Sequence, residues 1–247
     1  MTTQAMSMKT LFAIVIGLLV LTVGDAHAAT RRQAVIALDQ GNYVEAMADF
    51  TPLAEQGDPV AQLYLGRMYF LGQGIPQDYV QAMYWYRKSA ELGNDKAQCN
   101  LGLMFERGFG VPQNYQQAFA WFSKAAAAGS AEAENSLGAL YAHGLGVTQD
   151  FGQALALYKS AAAQGNVEAL LNLGLMHEKG QLVQKDPVMA FALFNLAVIL
   201  DSANKNQDAR PFRARVMGVL SPEQIKSGEA LTAQMQQVGV LNVPGVQ

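Results

Sequence analysis

The stretch AQLYLGRMYFLGQGIPQDYVQAMYWYRKSAELG, residues 61–93, returns 36 residues later as AQCNLGLMFERGFGVPQNYQQAFAWFSKAAAAG, residues 97–129. Working outward, Gly57, Gly93, Gly129 and Gly165 keep the same step of 36. So do Leu65-Gly66, Leu101-Gly102, Leu137-Gly138 and Leu173-Gly174, and the alanines Ala61, Ala97, Ala133 and Ala169. A second alanine column runs through Ala82, Ala118, Ala154 and Ala190. Agreement in this many columns without an insertion defines four units, 58–93, 94–129, 130–165 and 166–201. A period of this length marks a chain that builds its core by stacking one small unit on the next.

Each unit reads as two helices. In the first, Ala61, Leu65, Met68, Tyr69 and Gly72 recur at spacings of three and four and line one helical face. Gly72-Gln73-Gly74-Ile75-Pro76 breaks it, because glycine accepts positive φ and proline cannot continue a helix. The second helix opens at Asp78, matched by Asn114, Asp150 and Asp186, whose short oxygen-bearing side chains accept the orphan N–H groups of a first turn. Its apolar stripe is Ala82, Tyr86, Ser89 and Ala90, and Gly93 ends it. One such acid per unit reads as capping, each lying a whole repeat from the next. The glycine after each Leu lies inside a helix, where it costs about 1 kcal/mol relative to Ala. The expected offset is close approach of the second helix, with Tyr86, Phe122, Tyr158 and Phe194 lying over the contact.

Composition narrows the class. The 247 residues are 51% apolar and 15% charged, with a net charge of −3 and one cysteine. This excludes a disordered polyampholyte, a cysteine-stapled domain and a strongly basic nucleic-acid binder. At the N-terminus, Lys9 precedes the apolar run Leu11 to Val23, followed by Ala26-His27-Ala28. A positive flank, a short apolar segment and small residues at alternate positions make residues 1–28 a signal peptide with cleavage after Ala28. The run is shorter than the roughly 20 apolar residues that span a bilayer. The expectation is an exported chain, periplasmic or secreted, with no membrane span after cleavage and no lipid attachment. Export leads to an oxidising compartment, where Cys99 has no partner in the chain; it is an inert half-buried thiol or forms an intermolecular disulfide.

Residues 29–57 continue the pattern imperfectly and predict an N-terminal helix pair beginning near Arg31. After Asp201 the period lapses, and residues 202–238 predict C-terminal capping helices. Ser221-Pro222-Glu223-Gln224 is a helix start for a segment ending near Gln237. Residues 239–247 predict a loose tail.

The unit carried by Ala61, Leu65, Gly66, Tyr69, Gly72, Gly74, Asp78, Ala82, Trp85, Tyr86, Ala90 and Gly93 resembles the Sel1-like repeat, a relative of the tetratricopeptide repeat. The second unit substitutes Phe105 and Phe122 for Tyr and Asn114 for Asp, and the third has Leu157 for Trp. The fourth departs most, with His177 for Tyr, Leu182 for the second loop glycine and Val198 for the last Ala. The resemblance implies an all-α fold, a right-handed α-solenoid of stacked helix-turn-helix repeats with terminal capping helices. It implies an adaptor, regulator or assembly scaffold, and exported bacterial members include periplasmic regulators and host-factor binders. A cysteine-rich branch, linked to binding or hydrolysing penicillins, suggests the alternative of a cell-wall or β-lactam-binding or hydrolysing protein. That branch carries a Cys pair per repeat, which is missing here.

On the first helix, positions 60, 63, 67 and 70 lie opposite the packing stripe, and stacked helices would present them along a concave groove. The rows read Val60-Leu63-Arg67-Phe70, Lys96-Cys99-Leu103-Glu106, Glu132-Asn135-Ala139-Ala142 and Glu168-Leu171-Leu175-Glu178. These columns vary while the packing columns barely change, the pattern of a binding surface and equally of an unconstrained solvated face. The candidate partner-binding residues are Leu63, Arg67, Phe70, Lys96, Cys99, Leu103, Glu106 and Asn135, suited to a protein or peptide with apolar anchors and some acid. His143 falls in a column of helix-end residues and His177 in an aromatic one, so no metal site is expected. No spacing joins Ser, His and Asp into a catalytic group. The Gly-x-Gly loops follow helices and read as turns. The reading is a monomeric, non-catalytic interaction scaffold without cofactor.

Overall fold

The computed structural model describes residues 26–181, 183–201 and 209–246. Among them the regular structure is helical, beginning with α1 (26–39), α2 (Tyr43–Glu55), α3 (Pro59–Leu71) and α4 (Tyr79–Glu91). There follow α5 (Asp95–Arg107), α6 (Tyr115–Ala127), α7 (Ala131–His143) and α8 (Phe151–Ala163). Then come α9 (Val167–Lys179), α10 (Pro187–Asp201), α11 (Ala209–Met217) and α12 (Pro222–Val238), with a 3₁₀ turn at Val240–Asn242. The described residues form two compact units, divided between Ala97 and Gln98. In the first, α2 packs on α3 and α3 on α4; in the second, each helix from α6 to α10 packs on the next, and α11 and α12 both pack on α10. This is an all-α solenoid.

The core of the first unit joins Phe50, Leu53, Ala61, Leu65, Met68 and Trp85. Phe50 and Tyr64 stack with ring centroids 5.0 Å apart. In the second unit, Ala118, Phe122, Leu137 and Leu140 form one cluster, and Tyr158, Leu170, Leu173 and Met189 belong to another. The alanine columns are fully buried at Ala61, Ala97, Ala133 and Ala169, and again at Ala82, Ala118, Ala154 and Ala190.

What the mid-helix glycines do is plain from their surroundings. A Cβ on Gly66 would meet Tyr86 Cδ1 at 2.7 Å, one on Gly102 would meet Phe122 Cδ1 at 2.5 Å, and one on Gly138 would meet Tyr158 Cε1 at 2.8 Å. One on Gly174 would collide with the ring of Phe194. The second helix thus lays an aromatic ring into the space a side chain would fill, and those rings are at most 3% exposed. Burial of this much aromatic surface, at about 25 cal/mol per Å², offsets the helical cost of each glycine.

Side chains finish the helix ends. Asp78 Oδ1 accepts from the N–H groups of Val80 and Gln81, Asn114 Oδ1 from Gln117, Asp150 Oδ1 from Gly152 and Gln153, and Asp186 Oδ1 from Val188 and Met189. Each of these four residues also donates its own N–H to a carbonyl of the preceding helix, at Tyr69, Phe105, Tyr141 and His177. The turn is thereby fastened at both ends. The second loop glycine has a separate duty: at Gly146, φ +71°, a Cβ would lie 2.5 Å from the Tyr115 backbone carbon, so the loop rests directly on the start of α6.

At the termini the structure extends and corrects the sequence reading. Most of the expected signal peptide lies outside the described residues; its last three, 26–28, are helical and continuous with α1. Of the segment expected to cap the C-terminus, residues 202–208 lie outside the description, and α12 starts at a capping box on Ser221 and Gln224. Residues 239–246 are not a loose tail. Val240, Val243 and Val246 are 7%, 0% and 1% exposed and join the cluster containing Tyr158, Leu170 and Met189. Three valines at a spacing of three, turned by Gly239 and Gly245 at positive φ, explain this docking.

Replacing Gly102 with Val drives a branched side chain into Phe122, and overpacking of a filled core costs about 1–3 kcal/mol. The expected outcome is a fall of several degrees in melting temperature by circular dichroism; an unchanged melt contradicts the packing.

Candidate partner-binding face

In the first unit, α3 carries Leu63 and Phe70 half-buried and Arg67 exposed, and Lys96 is exposed at the start of α5. Phe70 packs against Tyr79 at the opening of α4, ring centroids 5.2 Å apart, which fixes its position. Arg67 acts inward as well as outward. Burial raises the Tyr86 phenol far above its ordinary value, and the Arg67 guanidinium partly opposes that rise. The equivalent Tyr158 is pushed up to about 12 by burial, so these frame hydroxyls stay neutral at any physiological pH.

In the second unit, Cys99 and Leu103 are half-buried against the cluster of Phe122, Leu137 and Leu140. They therefore serve the frame as well as the surface. Glu106 is half-buried and lies 3.6 Å from the guanidinium of Arg107. Asn135 accepts a hydrogen bond from Asn172 Nδ2 at 2.9 Å, tying α7 to α9. Of the four candidates here, Asn135 is thus drawn into contact between neighbouring first helices, a role that the sequence reading missed. The signal was present in Asn172, a polar residue beside the groove column.

A regular loop contact was also missed. Gln77 Nε2 donates to the Phe70 carbonyl at 2.7 Å, Gln113 to the Glu106 carbonyl at 2.8 Å and Gln149 to the Ala142 carbonyl at 2.7 Å. These glutamines stand 36 residues apart, and the fourth place in the column is Lys185. Beside it, α9 and α11 are joined by Arg215, whose Nε and Nη2 meet Glu178 Oε1 and Oε2 at 3.0 and 2.5 Å.

Among the described residues no group of three or more His, Cys, Asp or Glu side chains is placed to hold a metal ion. No helix there is long and apolar enough to cross a membrane.

Two helices per unit, a 36-residue period and a ring seated on a glycine define a solenoid of helix-turn-helix repeats. The Sel1 repeat model matches residues 59–94, 95–130, 131–166 and 167–202, and the chain belongs to the Sel1 repeat family. It is similar to a Sel1 repeat protein from Oxalobacter formigenes, with 27% identity and a TM-score of 0.68 over 87% of this chain and 91% of that one. It is also similar to c5321, described as a protective antigen of uropathogenic Escherichia coli displaying an SLR fold. That likeness has 26% identity and a TM-score of 0.54, over 88% of this chain and 57% of the other. A putative sel1 repeat protein from Klebsiella pneumoniae shares the fold at 24% identity and a TM-score of 0.52, over 78% of this chain and 93% of that one. A search of curated proteins by sequence finds no match.

His177 takes the column held elsewhere by Tyr69, Phe105 and Tyr141, and it is 4% exposed, with no partner for Nδ1 among the described residues. Burial lowers its pKa below the ordinary 6.5, Asp186 opposes that and Lys159 adds to it. The folded chain therefore holds the ring neutral. Its contribution is whole above the unfolded value of 6.5 and is lost as the pH falls below it toward the lowered folded value. Thermal melts from pH 7.5 to 5 should show the native chain losing stability faster than His177→Phe, whereas parallel curves contradict the assignment.

Proposed function

We propose that this chain is an exported, non-catalytic scaffold that binds a partner protein or peptide in the concave groove presented by its first helices. The observation that carries the reading is the contrast between frame and face. The alanine, glycine and ring columns are buried and nearly constant through four repeats. The outward columns change their chemistry at each step, from Leu63-Arg67-Phe70 to Cys99-Leu103-Glu106, and stay partly or fully exposed. The glycine–ring contacts that pair the helices involve none of those columns, so the exposed parts of the columns are available for recognition. Export, to the periplasm or beyond, is supported by the order of Lys9, the apolar run to Val23 and Ala26-His27-Ala28.

In the first unit the face combines the apolar Leu63 and Phe70 with the exposed cations Arg67 and Lys96. It suits a partner segment with apolar anchors and acidic flanks. Affinity capture from the native envelope identifies the partner, and calorimetry then compares native chain with Arg67→Glu/Lys96→Glu. Loss of two charge contacts is expected to weaken binding at least tenfold, with an unchanged melt, and equal affinity rejects the face.

A further inference from the structure

The fourth repeat has Lys185 in the place where the other three carry a glutamine. In the first three, a glutamine amide closes the loop onto the carbonyl of the first helix. At the fourth, the chain follows the same path: a Cβ on Gly180 would lie 3.1 Å from Lys185 Cβ, as one on Gly144 would lie 3.3 Å from Gln149 Cβ. The head group differs, and Lys185 makes no equivalent bond among the described residues. Next to it opens a cavity of about 800 Å³ between α9, the start of α10 and α11.

Its lining has two parts. Leu175, Phe212 and Val216 provide an apolar floor, with Pro187 and the 78% exposed Val219 at its edge. Lys179, Lys185 and Arg215 supply three cations against the single carboxylate of Glu178. Arg215 is engaged by that carboxylate in a two-pronged pair. Lys179 and Lys185 are exposed and form no ion pair among the described residues. The chain as a whole carries a net charge of −3, so this basic rim runs against the general charge.

We propose that the cleft between α9 and α11 binds an acidic peptide segment that inserts one large apolar side chain. The floor removes that side chain from water, and the two lysine heads meet carboxylates on either side of it. Glu178 holds Arg215 and α11 in place, and so keeps the wall of the cleft rigid. The cleft takes in Leu175 and Glu178, the fourth-repeat members of the first-helix columns, but none of Leu63, Arg67, Phe70 and Lys96, so the two readings are tested at different residues and either stands if the other falls.

The test is fluorescence anisotropy on the full chain with a fluorescein-labelled Glu-Leu-Glu-Phe-Glu-Leu peptide as the probe. Native protein is expected to bind it with an affinity that declines as salt rises. Lys185→Gln restores the residue of the other three loops, so it should leave the melt unchanged while weakening binding at least fivefold. Adding Lys179→Ala should weaken it further and flatten the salt dependence, and Arg67→Glu should bind as the native chain does. No binding by native protein overturns the proposal. So does equal affinity in the double lysine variant, or equal binding of a probe with every Glu changed to Lys.

Discussion

An aromatic ring seated on a glycine inside a helix is the contact from which the rest of this architecture follows. With no side chain at Gly66, Gly102, Gly138 or Gly174, the second helix of each repeat brings its ring against the backbone of the first. A larger residue there would force the ring out and separate the pair. The buried alanine columns recur with that contact, so one local solution is copied four times. Stability in such an array comes from neighbour contacts, and each repeat depends on its own ring and on the next pair.

Because the frame is satisfied by those columns, the other positions are released to vary. On the first helices that release produces a face whose chemistry changes at each step. In the fourth repeat's loop, Lys185 stands in place of the glutamine that bonds the first helix in the other three, beside a basic cleft. The same repeat carries His177 in place of an aromatic ring, a buried group whose neutral form burial favours. Departures from the repeat therefore cluster in its last copy, beside the α11, α12 and valine-tail elements that close the C-terminal unit.

The helical pairs, their caps and the glycine–ring contact were legible from residue spacing, because a 36-residue period states each requirement four times over. Apart from the loop glutamines Gln77, Gln113 and Gln149, what was not legible occurs once. The tail valines at 240, 243 and 246 have no second copy against which to read them, and their burial depends on a surface built by α8, α9, α10 and α12. Likewise the Asn135–Asn172 bond joins two adjacent helices through residues in different columns, so no single column announces it. The cleft at Lys185 was half legible: the broken glutamine column is visible in the sequence, but the cavity requires the placement of α11.

A double-mutant cycle at Gly138 and Tyr158 tests the governing contact most directly. Chemical-denaturant unfolding is measured for Gly138→Ala, for Tyr158→Ala and for the two together. If the ring occupies the missing side chain's place, its removal makes the alanine harmless and even favourable to the helix by about 1 kcal/mol. The double variant should then be more stable than the sum of the single losses by at least about 1 kcal/mol. Strict additivity would show that glycine and ring are independent, and would contradict the account.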